Sequence, residues 1–169
     1  NSDCSGAIAA LEASTSLKDK NILILGAGGT AKAIGYGIKE KGGKLTITYN
    51  RNKEKGENLA KELGCELIHC RDAGTQSIDI LINCSPVGMN PNINESPFLA
   101  RDFKEGMVVF DSVYNPLETK LLREAKAAGC KVIPGSELFI NQAARQFELF
   151  TGQPAPIEAM REELMEKLN

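Results

Sequence analysis

The segment Gly26-Ala27-Gly28-Gly29-Thr30-Ala31 follows the apolar run Asn21-Ile22-Leu23-Ile24-Leu25 and leads into a stretch of helical periodicity. Its spacing is G-x-G-x-x-A. Between a strand and a helix, Gly26 makes the tight turn and Gly28 lets the backbone approach a pyrophosphate. Ala31 permits close helix–strand packing, and Ala27, Gly29 and Thr30 complete a loop facing phosphates at the helix N-terminus. Such glycines also fit a turn that needs positive φ angles and binds nothing; the strand–loop–helix context favours the phosphate. About 20 residues further on, a domain built for NAD carries an acid for the ribose hydroxyls. Here that stretch reads Tyr49-Asn50-Arg51-Asn52-Lys53-Glu54-Lys55. Three cations at a helix start run against the macrodipole. The 2′-phosphate of NADP(H) would offset them, and Arg51 offers a planar fork suited to phosphate. The alternative is a solvated basic helix start softened by Glu54 and Glu57. NADP(H) is the expected cofactor.

Two other groupings carry less. Tyr49 and Lys53 form a Tyr-x-x-x-Lys pair, but at a strand end rather than in a catalytic helix, so their spacing is read as chance. Cys65, His69 and Cys70 have a loosely metal-like spacing, but a zinc site wants four ligands and no second cluster follows, so no metal is expected. The one histidine, His69, is expected away from the carboxyl ends of the strands where ligands bind. That placement argues against a histidine acid of the hydroxy-acid dehydrogenase kind.

Positioning such residues takes alternating strands and helices. Short apolar, β-branched-rich runs bounded by turn residues predict strands at 21–25, 45–49, 66–69, 78–82, 107–110 and 131–133. Helical spacing predicts helices at 3–13, 30–41, 53–63, 117–128, 136–150 and 156–168. Several runs are apolar throughout, as in a parallel sheet covered on both faces. The expected fold is α/β: a Rossmann-like, doubly wound, mainly parallel six-stranded sheet with helices on both faces, in one domain over residues 1–169. Segment 85–98, with three Pro and three Asn, is a loop of the length that is usually functional.

The 169 residues carry 20 Lys plus Arg against 22 Asp plus Glu, a net charge of -2. That balance lacks the basic footprint of a nucleic-acid or anionic-membrane binder. No apolar run approaches the ~20 residues of a membrane span. Five cysteines, an odd number, fit free thiols in a reducing compartment, and a cytoplasmic location is expected. The sequence starts on Asn1 and shows no leader pattern, so it reads as processed or cut from something longer.

Six ordered motifs over nearly the whole chain resemble the second domain of the shikimate dehydrogenase family. Asn1-Ser2-Asp3-Cys4-Ser5-Gly6 is similar to that family's Asn-Thr-Asp-x-x-Gly. Gly26 to Thr30 resembles its Gly-Ala-Gly-Gly-Ala loop, and Asn50-Arg51-Asn52 its Asn-Arg-Thr clamp for NADP. Asn83-Cys84-Ser85-Pro86-Val87-Gly88-Met89 is similar to Asn-Ala-Thr-x-x-Gly-Met. Asp111-Ser112-Val113-Tyr114-Asn115-Pro116 resembles Asp-x-x-Tyr-x-Pro. Gly135 through Gln142-Ala143-Ala144 is similar to Gly-x-x-Met-Leu-x-x-Gln-Ala, a sixth segment that Phe147 to Gly152 closes. Departures are Ser2 and Asn52 for Thr, Cys84-Ser85 for Ala-Thr and Leu138-Phe139 for Met-Leu; they bear on fine cofactor contacts.

The resemblance implies NADPH-dependent, reversible reduction of 3-dehydroshikimate to shikimate. It implies that Asp3 is the carboxylate of the catalytic pair and holds a substrate hydroxyl, with Tyr114 and Gln142 also on the substrate. Asn50, Arg51 and Asn52 would hold the adenosine end of the cofactor, beside Lys55 from the basic helix start, and Ser85, Ser112 and Gly135 would border its nicotinamide side. The family's acid–base lysine comes from an N-terminal substrate domain to which no segment here corresponds, so the chain looks like the NADP-binding half of the enzyme. Read without the family, Asp3 is a helix N-cap, Tyr114 a turn residue and Gln142 a solvated helix position. Three further readings stay open: a non-catalytic NADP-binding module, a quinate/shikimate dehydrogenase, and a glutamyl-tRNA-reductase-like domain. The last should lack the Asp3, Tyr114 and Gln142 set.

Overall fold

Alternation inside short apolar runs decides which way each strand faces. The computed structural model describes residues 2–168, and side-chain surroundings from residue 5 onward. In β1 (Asn21–Leu25), Ile22 and Ile24 enter one core cluster and Leu23 and Leu25 the other, because successive side chains leave a strand on opposite faces. The same split places Ile80 and Ile82 against Leu81 in β4 (Ile80–Asn83), and Val108 and Phe110 against Val109 in β5 (Val108–Asp111). With β2 (Lys44–Tyr49), β3 (Glu66–His69) and β6 (Lys131–Ile133), these strands form one six-stranded sheet, every pairing parallel, in the order β3-β2-β1-β4-β5-β6. The chain winds outward from β1 to β3, then crosses back to set β4 on the other side of β1. Ile22 thus pairs with Leu45 on one flank and with Ile80 on the other.

One face of the sheet is covered by α1 (Ser2–Glu12), α2 (Gly29–Glu40), α3 (Lys53–Leu63) and α5 (Gly135–Thr151), through residues such as Leu11, Ile34, Leu63 and Leu138. The other is covered by α4 (Lys120–Ala127), through Leu121, Leu122 and Ala125, and by Phe98, Phe103 and Met107 from the connection between β4 and β5. Each fully buried Leu or Ile contributes roughly 1.5–3 kcal/mol. The last helix, α6 (Ile157–Leu168), buries no residue fully and is tied to α5 by the Arg161–Glu137 ion pair.

Three boundaries differ from the expectation at positions that matter. The strand expected at 78–82 runs instead from Ile80 through Asn83, and the strand expected at 107–110 extends through Asp111. Polar residues end both, because each is paired inside the sheet rather than released to solvent. The helix expected from 117 begins at Lys120, because Thr119 caps it, its hydroxyl accepting from Leu122 N at 3.3 Å. Two 3₁₀ turns, Cys70–Thr75 and Ala100–Asp102, had no signature in the periodicity. Segment 85–98 is irregular throughout. Among the described residues, no helix is long and apolar enough to cross a membrane.

Candidate functional site

The strand order reverses between β1 and β4, and the crevice at the carboxyl ends of strands beside such a switch point is where open α/β sheets take ligands. The glycine loop leaves β1 there. Gly26 takes φ +116, and a Cβ on it would meet the Cys84 carbonyl oxygen at 3.3 Å. Its N–H donates to Thr48 Oγ1 at 3.1 Å, which ties the turn to β2. The packing of the chain itself therefore calls for glycine at this position. Gly28 is different. Its backbone (φ -91, ψ -171) suits any residue, and a Cβ on Gly28 or Gly29 would meet nothing within 4 Å. The bareness of these two positions leaves space above the N-terminus of α2. No side chain caps that terminus and its first turn holds no acid, so its amides and dipole are available to an anion. Ala31 is wholly buried against the sheet.

Two adjoining clefts share Thr30, Ser112 and Tyr114 as a common wall. One, of about 250 Å³, continues past Gly135, Leu138, Phe139 and Gln142. The other, of about 390 Å³, runs along Cys84, Ser85, Pro86 and Met89. The expected residues Thr30, Ser85, Ser112, Tyr114, Gly135 and Gln142 are thus brought together from four separate segments. Tyr114 is exposed rather than packed into a turn, its ring tilted against Phe139 with centroids 5.1 Å apart. Gln142 is half-buried on the cleft side of α5, not a solvated helix position. Gly135 sits so close to the backbone of Val113 that a Cβ would overlap the Val113 carbonyl, and it would lie 2.8 Å from Ser112 O.

Beneath these walls lies a polar network, buried at Asn83, Asp111 and Thr119, that the sequence reasoning missed. Asn83 and Asp111 face each other at the ends of β4 and β5, both fully buried. Asn83 Nδ2 donates to Asp111 Oδ1 at 2.9 Å, and Val113 N donates to the same oxygen at 3.0 Å. Thr119 Oγ1 donates to Asp111 Oδ2 at 2.6 Å. Asn83 Oδ1 accepts from Ser85 N at 2.9 Å and Ser85 Oγ at 2.7 Å, while its amide also reaches Val87 O at 3.3 Å. Burial raises the Asp111 pKa above the ordinary aspartate value, and its bonds from Thr119, Val113 and Asn83 pull it back in part. Burial, with the Asp111 charge adding to it, also pushes the Cys84 thiol up, so it stays protonated. A sequence signal existed: two all-apolar runs, Ile-Leu-Ile and Val-Val-Phe, each ending on a single polar residue.

At the end of β2, the side chains of Asn50, Arg51, Asn52, Lys53 and Lys55 are all exposed. Lys53 pairs with Glu57 at 3.5 Å, whereas Arg51 and Lys55 make no ion pair among the described residues. Asn52 serves the helix instead, its Oδ1 accepting from Lys55 N at 2.8 Å and capping α3.

His69 corrects an expectation. It ends β3 and so lies at a strand's carboxyl end, because the strand runs to its last residue. It is nevertheless remote from the clefts, on the edge strand with β2 between it and β1. Its ring stands edge-on to Tyr49 at 5.0 Å, and Nδ1 accepts from Arg71 N at 3.1 Å. An open groove along this edge takes in Tyr49, Lys53, His69 and Arg71. A groove of about 570 Å³ at the amino ends of β1 and β2 is at the wrong end of the sheet for the glycine loop. Among the described residues no three His, Cys, Asp or Glu side chains converge to hold a metal. Asp3 falls on the first turn of α1, but its side chain lies outside the described residues. Gly6, three residues on, is buried against two cleft-lining residues of α5: a Cβ there would meet Leu138 at 3.2 Å and Gln142 Cγ at 3.3 Å.

Residues 8–111 match the family model for shikimate / quinate 5-dehydrogenase, and residues 135–165 match that for the shikimate 5'-dehydrogenase C-terminal domain. A relative from Arabidopsis thaliana, the chloroplastic bifunctional 3-dehydroquinate dehydratase/shikimate dehydrogenase, is 39% identical over 175 residues, covering 94% of this chain and 29% of that protein. The NADP(+) shikimate dehydrogenase of Methanosarcina acetivorans is 37% identical over 169 residues, covering 95% of this chain and 60% of that protein. The crystal structure of shikimate 5-dehydrogenase from Thermus thermophilus, in complex with NADP(H) and shikimate, is similar with a TM-score of 0.87 at 34% identity, over 98% of this chain and 62% of that one. The chain therefore spans less than two thirds of the length of these relatives.

Proposed function

The chain belongs to the shikimate dehydrogenase family, and on that footing we propose that residues 1–169 form the NADP-binding domain of an NADPH-dependent shikimate dehydrogenase. The reaction is reversible reduction of 3-dehydroshikimate to shikimate. One observation carries the reading: bare space over Gly28 and Gly29 at the uncapped N-terminus of α2, next to Thr30, which lines both clefts. A pyrophosphate fits that space without displacing a side chain, and its charge is matched by the helix dipole.

In this reading Gly26, Ala27, Gly28, Gly29 and Thr30 cradle the pyrophosphate. Arg51 and Lys55, which pair with no carboxylate among the described residues, take the 2′-phosphate with Asn50, and Asn52 holds the segment in shape by capping α3. Ser85, Ser112 and Gly135 border the nicotinamide side. NADPH, when bound, supplies the hydride. Tyr114 and Gln142 hold the substrate, and Asp3 holds a substrate hydroxyl as one member of an acid–base pair. The lysine that completes the pair belongs to a substrate domain outside residues 1–169, in keeping with the greater length of the relatives. Quinate is the competing substrate within the same family model.

The reading is tested by fluorescence titration of this chain with NADPH and with NADH. NADPH should bind at least tenfold more tightly, about 1.4 kcal/mol. Equal affinities would remove the NADP assignment, and binding of neither would remove the reading as a whole.

A further inference from the structure

Asp111 lines neither cleft, yet its three bonds tie together the segments that do. Its carboxylate is fully buried, and among the described residues no ion pair reaches it. A charge kept dry without a cation is a poor device for stability alone, since an apolar residue of similar size fills a core as well. Its bonds point elsewhere. Oδ1 receives Val113 N, next to Ser112 and Tyr114 on one wall, and the amide of Asn83. Asn83 in turn holds both Ser85 N and Ser85 Oγ on the other wall. Oδ2 receives Thr119 Oγ1, which anchors the far end of the 112–119 connection at the cap of α4. Two backbone bonds lace the walls further, Ser112 N to Asn83 O at 2.9 Å and Asn90 N to Asn115 O at 3.0 Å. Among the described residues, no bond joins the Arg51 end of the site, beyond β1 on β2, to this network.

We propose that Asp111, acting through Asn83 and Thr119, is a positioning residue that sets the separation of the 85–90 and 112–115 walls for the nicotinamide half of the dinucleotide and leaves the adenosine half untouched. This rests on the NADP reading above. Loss of the anchor would let the two walls drift, and a displacement of about 1 Å is enough to degrade a preorganised site.

The experiment titrates the whole chain by calorimetry with NADPH and with adenosine 2′,5′-bisphosphate, which carries the adenosine and 2′-phosphate but no nicotinamide. Thr119→Val keeps the shape and removes the donor to Oδ2, Thr119→Ser keeps the donor, and Asp111→Asn removes the charge. Thr119→Val and Asp111→Asn should weaken NADPH at least fivefold while bisphosphate affinity stays within twofold. Thr119→Ser should hold NADPH affinity within twofold of wild type. Should Asp111→Asn fail to fold, the two Thr119 variants decide the matter by themselves. Parallel weakening of both ligands, or unchanged NADPH affinity in Thr119→Val, overturns the inference while the NADP reading survives. A wild-type chain that binds NADPH without binding the bisphosphate overturns the NADP reading and this inference with it.

Discussion

Gly28 and Gly135 are both assigned to the proposed site, for opposite reasons, and substitution should separate them. A side chain at Gly28 enters open space, so Gly28→Val should abolish NADPH binding at a stability loss of no more than about 1 kcal/mol, that of a poor N-cap residue. At Gly135 a Cβ has no room against Val113, so Gly135→Ala should destabilise by roughly 1–3 kcal/mol, as overpacking does. Denaturant titration beside ligand calorimetry checks both; a Gly28→Val protein with wild-type NADPH affinity would reduce the loop to a turn. Arg51→Asp should erase or invert the preference for NADPH over NADH and leave the melting temperature nearly unchanged, because Arg51 is exposed and unpaired by any carboxylate described. Gly28 and Arg51 stood out because a glycine loop and a cluster of cations signal through spacing along the chain, whereas Gly135 came from the family resemblance alone. The meeting of Asn83 and Asp111 did not stand out, because 28 residues separate them and only the register of β4 against β5 sets them face to face.

Between elements, Asp111 couples β5 to the start of α4 through Thr119, and that coupling should depend on pH. Burial raises the Asp111 pKa above its unfolded value, so in the window between the unfolded and the folded values the folded chain retains a proton that the unfolded chain has released. The folded state then binds more protons, and the penalty of the buried charge is relieved as pH falls. The melting temperature of wild type should therefore rise relative to Asp111→Asn as pH is lowered from 7 toward 4. Thermal melts of the two proteins over that range check the sign; a difference that does not change with pH would mean that Asp111 titrates alike in both states. Strand and helix identity was legible from periodicity for every regular element. The ends of β4, β5 and α4 were not, because Asn83, Asp111 and Thr119 look like loop residues until their partners are known.

For the molecule as a whole, the proposed division of labour predicts that this chain binds NADPH and does not measurably reduce 3-dehydroshikimate. In that proposal Tyr114 and Gln142 line one side of the substrate site and the acid–base lysine lies outside residues 1–169, and absence of a positioned general acid typically removes a factor of 10²–10⁴ in rate. Joining a family substrate domain ahead of Asn1 should restore turnover, and Asp3→Asn in that fusion should lower kcat about 100-fold or more. Strong activity from the chain alone would place the whole acid–base pair within it. The doubly wound architecture was legible, since strands alternating with helices and linked by right-handed crossovers leave few arrangements. That same winding has a consequence on the ribosome. β1 acquires β2 soon after it is made, but 58 residues separate Ile22 from its partner Ile80 on the opposite flank. At ~5–20 residues per second, the central strand therefore waits roughly 3–12 s with one edge and its apolar side chains uncovered. A nascent chain stalled short of Ile80 should accordingly be captured by chaperones or aggregate, and release from that vulnerability should coincide with emergence of the segment that ends in Asn83.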